Sequence, residues 1–226
     1  MAEAMRDLLE QVARRYEVTL SENQMEQFLC YLRLIQKWQR TAVRLVGSAE
    51  AGELVGKHVS DALALYNCLG ECKGRKLIDI GSGAGFPGVC LKLVEPGLEV
   101  TLVEASGRKA AFLAKVKAEL VLSGVNVVRA RAEDIACEEG FRGGFDLVTM
   151  RGVASLARAV ELGLPFVRAG GCLFVVRGKS SAEEIETAGS VAAPLGGRSV
   201  VVREMSIKGM PERGSIVIVG KEAGSG

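Results

Sequence analysis

Four glycines, Gly81, Gly83, Gly85 and Gly88, follow a short apolar run with one acid in it, Leu77-Ile78-Asp79-Ile80. A backbone without Cβ atoms can turn sharply, and a ligand can approach it to van der Waals contact. Pro87 suits the first position of a following helix, whose free N–H groups favour polar or charged ligand groups. Two registers compete. Gly83-x-Gly85-x-x-Gly88 matches the dinucleotide fingerprint. Asp79-x-Gly81-x-Gly83-x-Gly85 is longer and puts an acid two residues ahead of the first glycine. A packing turn that binds nothing would need one glycine, not four.

Other residues with chemistry fall at the ends of the strands. Glu104 ends the second strand, where a carboxylate can accept hydrogen bonds from two ribose hydroxyls. That serves NAD and S-adenosylmethionine equally, and argues against a 2′-phosphate. Ala132-Glu133-Asp134 follows the third strand on the same edge, where backbone groups and an acid could meet a ligand; a solvated loop is the alternative for the two acids. Arg131, Arg151, Arg177, Lys179, Lys208 and Arg213 are expected on the same rim. Several cations around one mouth suit a phosphate backbone, which they position without reading its sequence. His58 is the only histidine. With Asp61 one helical turn on, it reads as a structural hydrogen-bonding residue rather than a catalyst.

The elements that must position these groups can be read from periodicity. Residues 1–72 read as helical. Met5, Leu8, Leu9 and Val12 recur at helical spacing, and Ser21 with Gln24 forms a capping box. Met25, Phe28, Leu29, Leu32, Ile35 and Trp38 then make a stripe expected in the core. Lys37, Arg40, Arg44 and Lys57 read as a solvated face, with nucleic-acid contact as the alternative. From 75 onward strand and helix alternate. Strands are predicted over 76–81, 99–104, 126–130, 145–150, 172–176, 199–204 and 215–219. Helices are predicted over 87–95, over 107–122 with Gly124 as its stop, after Ser155, and after Ser181 with Glu184. Gly170-Gly171 reads as a turn. The short link between the last two strands predicts an antiparallel pair at the sheet edge.

This pattern is α/β: a Rossmann-like, mostly parallel seven-stranded sheet with an antiparallel last strand, preceded by a helical N-terminal region. The expected division is 1–72 helical and packed on the core, 73–221 as the sheet domain, and 222–226 as a disordered tail. Ligands bind such sheets beyond the carboxyl ends of the strands.

Composition bounds the function classes. The chain has 226 residues, 48% apolar and 25% charged, with a net charge of +2 that neither demands nor excludes a polyanionic partner. Its six cysteines show no metal-ligand spacing and read as thiols in a reducing compartment. No apolar run approaches the ~18 residues of a membrane span. The expectation is a soluble, cytoplasmic protein without a metal.

The motifs together resemble a known family. Lys57-His58-Val59-Ser60-Asp61-Ala62-Leu63, the turn 79–88, Gly107-Arg108-Lys109, Arg131-Ala132-Glu133, Met150-Arg151-Gly152 and Arg213 are similar to the bacterial ribosomal RNA small-subunit methyltransferase G family, also called glucose-inhibited division protein B. The longer glycine register resembles motif I of class I S-adenosylmethionine-dependent methyltransferases. The resemblance implies methylation of a guanosine N7 in small-subunit ribosomal RNA, with S-adenosylmethionine as cofactor and ribosomal RNA as partner, free or in the small-subunit particle. It puts Gly81, Phe86, Ala132, Glu133 and Arg151 on cofactor-binding positions, beside Gly83 of the turn and Glu104. It puts Arg131, Arg151 and Arg213 on basic active-site positions. Nothing in it requires an oligomer. Departures from the family pattern lie at Arg44-Leu45-Val46, Asp61-Ala62-Leu63 and Arg177-Gly178. The alternatives are a methyltransferase for another RNA, a protein or a small molecule; an NAD-dependent oxidoreductase, which would lack Tyr-x-x-x-Lys; and a non-catalytic RNA-binding module.

Overall fold

In the computed structural model, residues 2–41, 43–153, 155–205 and 214–223 are described. The chain opens with α1 (Ala2–Arg15) and α2 (Glu22–Gln39), then α3 (Ala51–Glu53), a π-helical turn (Leu54–Val59) and α4 (Ser60–Leu69). Alternation follows: β1 (Lys76–Ile80), α5 (Gly88–Val94), β2 (Glu99–Val103), α6 (Gly107–Glu119), β3 (Val125–Val128) and α7 (Ala132–Ile135). The rest is β4 (Phe145–Arg151), α8 (Leu156–Gly163), β5 (Val167–Arg177), α9 (Ala182–Ala192), β6 (Gly197–Glu204) and β7 (Ser215–Lys221).

The strands form one seven-stranded sheet in the order β3-β2-β1-β4-β5-β7-β6. β7 runs antiparallel to both of its neighbours, and the other pairings are parallel. Order reverses between β1 and β4, so their carboxyl ends diverge into a crevice. Alternating strand residues feed two cores. Leu77, Leu102, Leu147, Phe174 and Ile216 join α1, α2, α5 and α6 on one face. Ile78, Val103, Val148, Leu173 and Val217 join α8 and α9 on the other.

The α2 stripe packs as its spacing predicts. Phe28, Leu32 and Ile35 are fully buried, and Trp38 meets Phe112 edge-on at 5.3 Å. Burying each such side chain is worth roughly 1.5–3 kcal/mol. Polar ties accompany the apolar ones. Gln24 donates to the carbonyls of Leu93 and Val94 at the end of α5, and Gln27 to Leu120 O. The predicted caps at Ser21, Ser155 and Ser181 form, with full capping boxes at the first and third.

Three expectations need correction. Residues 43–50 hold no regular element, so the N-terminal region is helical only on either side of them. Gly170-Gly171 lies inside β5, which starts at Val167; a Cβ on Gly171 would come within 2.7 Å of Asp146 O, so the glycine admits a close approach where the β4–β5 register shifts. The helix predicted over 107–122 ends at Glu119, with Val121 at φ +50°; Gly124 leads into β3 instead of stopping the helix. Most of the link 205–214 and the end of the tail, 224–226, lie outside the described residues.

Candidate active site

The carboxyl edge of the sheet opens onto two adjoining crevices. One, about 280 Å³, is lined by Gly81, Glu104, Arg131, Ala132, Glu133 and Arg151. The other, about 490 Å³, is lined by His58, Asp61, Gly83, Phe86, Arg151 and Arg177. Gly81, Arg151 and Gly152 border both. A larger hollow of about 760 Å³ beside Met5, Arg33 and Arg40 gathers no such chemistry, so volume does not select the site.

The four glycines divide into two pairs. Gly81 and Gly83 line the crevices with φ of +72° and +58°, and a Cβ on Gly81 would meet nothing within 4 Å. That open cradle admits a ligand. Gly85 and Gly88 serve packing. A Cβ on Gly85 would strike Val89 at 2.6 Å, and one on Gly88 would strike Leu102 at 2.5 Å. Of the dinucleotide register, only Gly83 therefore faces a crevice.

Asp79 explains the tight approach at Gly88. Its carboxylate is buried, accepting from Thr149 Oγ1 at 2.8 Å and from Gly88 N at 3.3 Å. Burial raises its pKa to about 6, against the pull of those bonds. The expectation of ligand-binding N–H groups at this helix start is corrected here. Pro87 stands at the N-cap, after a cis Phe86–Pro87 bond, and Gly88 N–H is engaged by Asp79.

Glu104 sits on the smaller crevice. Its Oε2 accepts from Gly83 N at 2.9 Å and its Oε1 from Ser106 N at 2.8 Å. An ionised carboxylate has about four acceptor sites, so two remain for hydroxyls. The cradle and this held carboxylate fit a nucleoside with a free ribose diol. Ala132 is buried and opens α7, while Arg131 at its N-cap is exposed. Glu133 is exposed and pairs with Arg158 at 2.7 Å.

Arg151 ends β4 and is held from outside the sheet. Nη2 donates to Asp61 Oδ2 at 2.8 Å and Nη1 to His58 Nδ1 at 2.6 Å; the Arg151 and Asp61 side chains are 18% and 14% exposed. The His58 ring stacks on Phe86 at 4.9 Å. Burial, and then the Arg151 charge, lower its pKa to about 4, so the ring is neutral at physiological pH. Arg177 Nη2 donates to Glu184 at 2.6 Å. Its Nε and Nη1 are buried without a hydrogen-bond partner among the described residues. Lys179 lies exposed beyond β5.

The structure thus brings Arg131 and Arg151 to one crevice, and Arg151 and Arg177 to the other. Arg213 and Lys208 lie outside the described residues. Sequence reasoning gave His58 a structural hydrogen bond but not its partner, Arg151. It also missed the Asp61–Arg151 pair and the Tyr31 hydroxyl, which donates to Ala84 O in the glycine turn at 2.8 Å. The sequence showed a histidine and an aspartate one helical turn apart, but not which strand end they would meet.

Sheet order, inserted antiparallel strand and glycine cradle define a class I methyltransferase fold. The family model described as GidB, rRNA small subunit methyltransferase G, matches residues 24–212. The ribosomal RNA small subunit methyltransferase G of Roseiflexus castenholzii is 41% identical over 213 residues, spanning 94% of this chain and 90% of that relative. The chain belongs to this family, as the sequence motifs imply. Among solved structures, the M. jannaschii protein TYW2 in complex with AdoMet aligns with a TM-score of 0.56 and 16% identity over 73% of this chain and 74% of that one. The cyclase SpnF aligns equally well, with a TM-score of 0.56 and 16% identity over 73% of this chain and 82% of that one. The shared fold therefore carries more than one chemistry.

Proposed function

We propose that this protein transfers the methyl group of S-adenosylmethionine to N7 of a guanosine in small-subunit ribosomal RNA. The smaller crevice takes the adenosine half of the cofactor and the larger one the acceptor base. The observation that carries this reading is the common border: Gly81 and Arg151 line both crevices, so a group held in one can be presented to the other. Gly81 and Gly83 keep the cradle open. Glu104 accepts from the ribose hydroxyls, and Ala132 with Glu133 flanks the base. Phe86 walls the acceptor side. Arg151 meets the methionine carboxylate and the acceptor, while Arg131 and Arg213 contribute positive charge for phosphates.

The cofactor supplies an electrophilic methyl on a sulfonium. Guanine N7 carries a free lone pair, so no proton has to leave before attack. A catalytic base is unnecessary, and the neutral His58 is occupied with Arg151. The work left to the chain is alignment, for which well-oriented reactions gain factors of order 10⁵ or more. Neither the lone pair nor the sulfonium calls for a metal. One chain borders both crevices, which supports reading the site as complete within a single chain. Residues of α1, α2 and α4 share one apolar core with a face of the sheet, which supports reading 1–72 and 73–221 as a single unit. A ribosomal RNA substrate puts the enzyme in the cytoplasm, where its six free thiols are at home.

Isothermal titration tests the cofactor assignment. S-adenosylmethionine should bind and NADH should not. Arg151→Ala should lower methyl transfer at least ~10²-fold, the scale of a misplaced reacting group; near-normal turnover would refute the assignment of Arg151.

A further inference from the structure

Arg151 is long, and by itself it is free to sample many rotamers. Two side chains from outside the sheet hold it. Asp61 Oδ2 accepts from Nη2 and His58 Nδ1 from Nη1. These bonds use two of the five N–H groups of the guanidinium, and Arg151 so held lines both crevices. Both partners belong to the helical run 51–69, and His58 stands in its π-helical turn, Leu54–Val59. Single π turns inside α-helices are frequent at functional sites because the extra residue redirects a side chain.

The chemistry of His58 is set by this contact. Guanidinium has no acceptor, so Nδ1 must be the unprotonated nitrogen and Nε2 carries the hydrogen. Nε2 is buried and makes no hydrogen bond among the described residues. A buried donor without a partner is costly, on the order of 1–3 kcal/mol. A histidine kept only for stability would not be expected in this state. The ring itself stacks on Phe86, at an interplanar angle of 22°. His58 therefore connects the arginine to the wall of the glycine turn.

We propose that His58 and Asp61 are positioning residues for methyl transfer, fixing the Arg151 guanidinium across the border of the two crevices. The inference rests on the reading that Arg151 serves both cofactor and acceptor. Neither residue touches a reacting atom. Asp61 supplies the charge that holds the fork, and His58 supplies a neutral acceptor together with a flat surface for Phe86.

Two substitutions separate the parts of His58. His58→Phe keeps the ring on Phe86 and removes the acceptor. His58→Asn removes the ring and keeps an acceptor close to the position of Nδ1. Asp61→Asn, nearly isosteric, serves as an independent variant should His58→Phe fold poorly. Thermal melting, kcat and both KM values are measured for each, beside Arg151→Ala and the double variant with His58→Phe. The expected result is a kcat loss of about 10-fold or more in His58→Phe and in Asp61→Asn, within the range a small misplacement produces. KM for RNA should change little, His58→Asn should recover most of the turnover, and His58→Phe should cost nothing further once Arg151 is alanine. Normal kcat in His58→Phe and Asp61→Asn, with Arg151→Ala impaired, would overturn this proposal and leave the functional reading standing. Losses that multiply in the double variant would also overturn it. Normal turnover by Arg151→Ala would overturn the functional reading of Arg151, and this proposal with it.

Discussion

Glu104 braces the glycine turn through Gly83 N–H and lines the smaller crevice. Glu104→Gln keeps the shape and removes the charge. Hydrogen bonds to a charged group are worth about 1.5–3 kcal/mol, so cofactor affinity should fall by roughly 10- to 100-fold, measurable by calorimetry. An unchanged dissociation constant would remove Glu104 from the site. Asp79 and His58 make a second prediction, about stability and pH. The pKa of folded Asp79 is raised to about 6 by burial, so the folded state binds more protons than the unfolded one between about pH 4 and 6, and stability falls as pH rises through that window. The pKa of His58 is lowered to about 4 by burial and by Arg151, so stability rises with pH between about 4 and 6.5. The two slopes oppose each other. In melts at a series of pH values, Asp79→Asn should steepen the rise toward neutrality, and His58→Asn should flatten or reverse it. The opposite pair of responses would contradict these environments.

At the scale of elements, the glycine turn owes its shape to α2 as much as to β1. Tyr31 is fully buried, lies 5.3 Å from Phe86, and donates to Ala84 O. Tyr31→Phe keeps the ring and orphans that carbonyl. A loss of about 1–3 kcal/mol is expected in chemical denaturation, with weaker cofactor binding, because the carbonyl belongs to the cradle. Stability loss without any change in binding would separate the two elements. Which elements form was largely legible: period-two and period-3.6 patterns, Ser caps and glycine spacing mark strands and helices directly. What escaped depends on contacts distant in sequence. Nothing local in Leu54-Val55-Gly56-Lys57-His58-Val59 announces a π turn, since its extra residue is accommodated by neighbours in three dimensions. Gly170-Gly171 looked like a turn because glycine signals irregularity without saying whether pairing survives it. Arg151 was placed at the strand end correctly, yet its partners 93 and 90 residues earlier could not be paired with it by any local rule.

At the scale of the molecule, the sheet order creates the divergence between β1 and β4, and the N-terminal helices complete the walls around it. β7 slots antiparallel between β5 and β6; the short link between the last two strands made their antiparallel pairing readable, but not the insertion of β7 beside β5. The two crevices therefore draw on residues from Leu45 to Met205. The most direct test of the central claim is methyl transfer from methyl-labelled S-adenosylmethionine to ribosomal RNA, as free RNA and as small-subunit particles, followed by digestion to nucleosides. The account predicts label in N7-methylguanosine, dependent on Arg151 and Glu104. Label confined to protein, to a small molecule or to another nucleoside would contradict it.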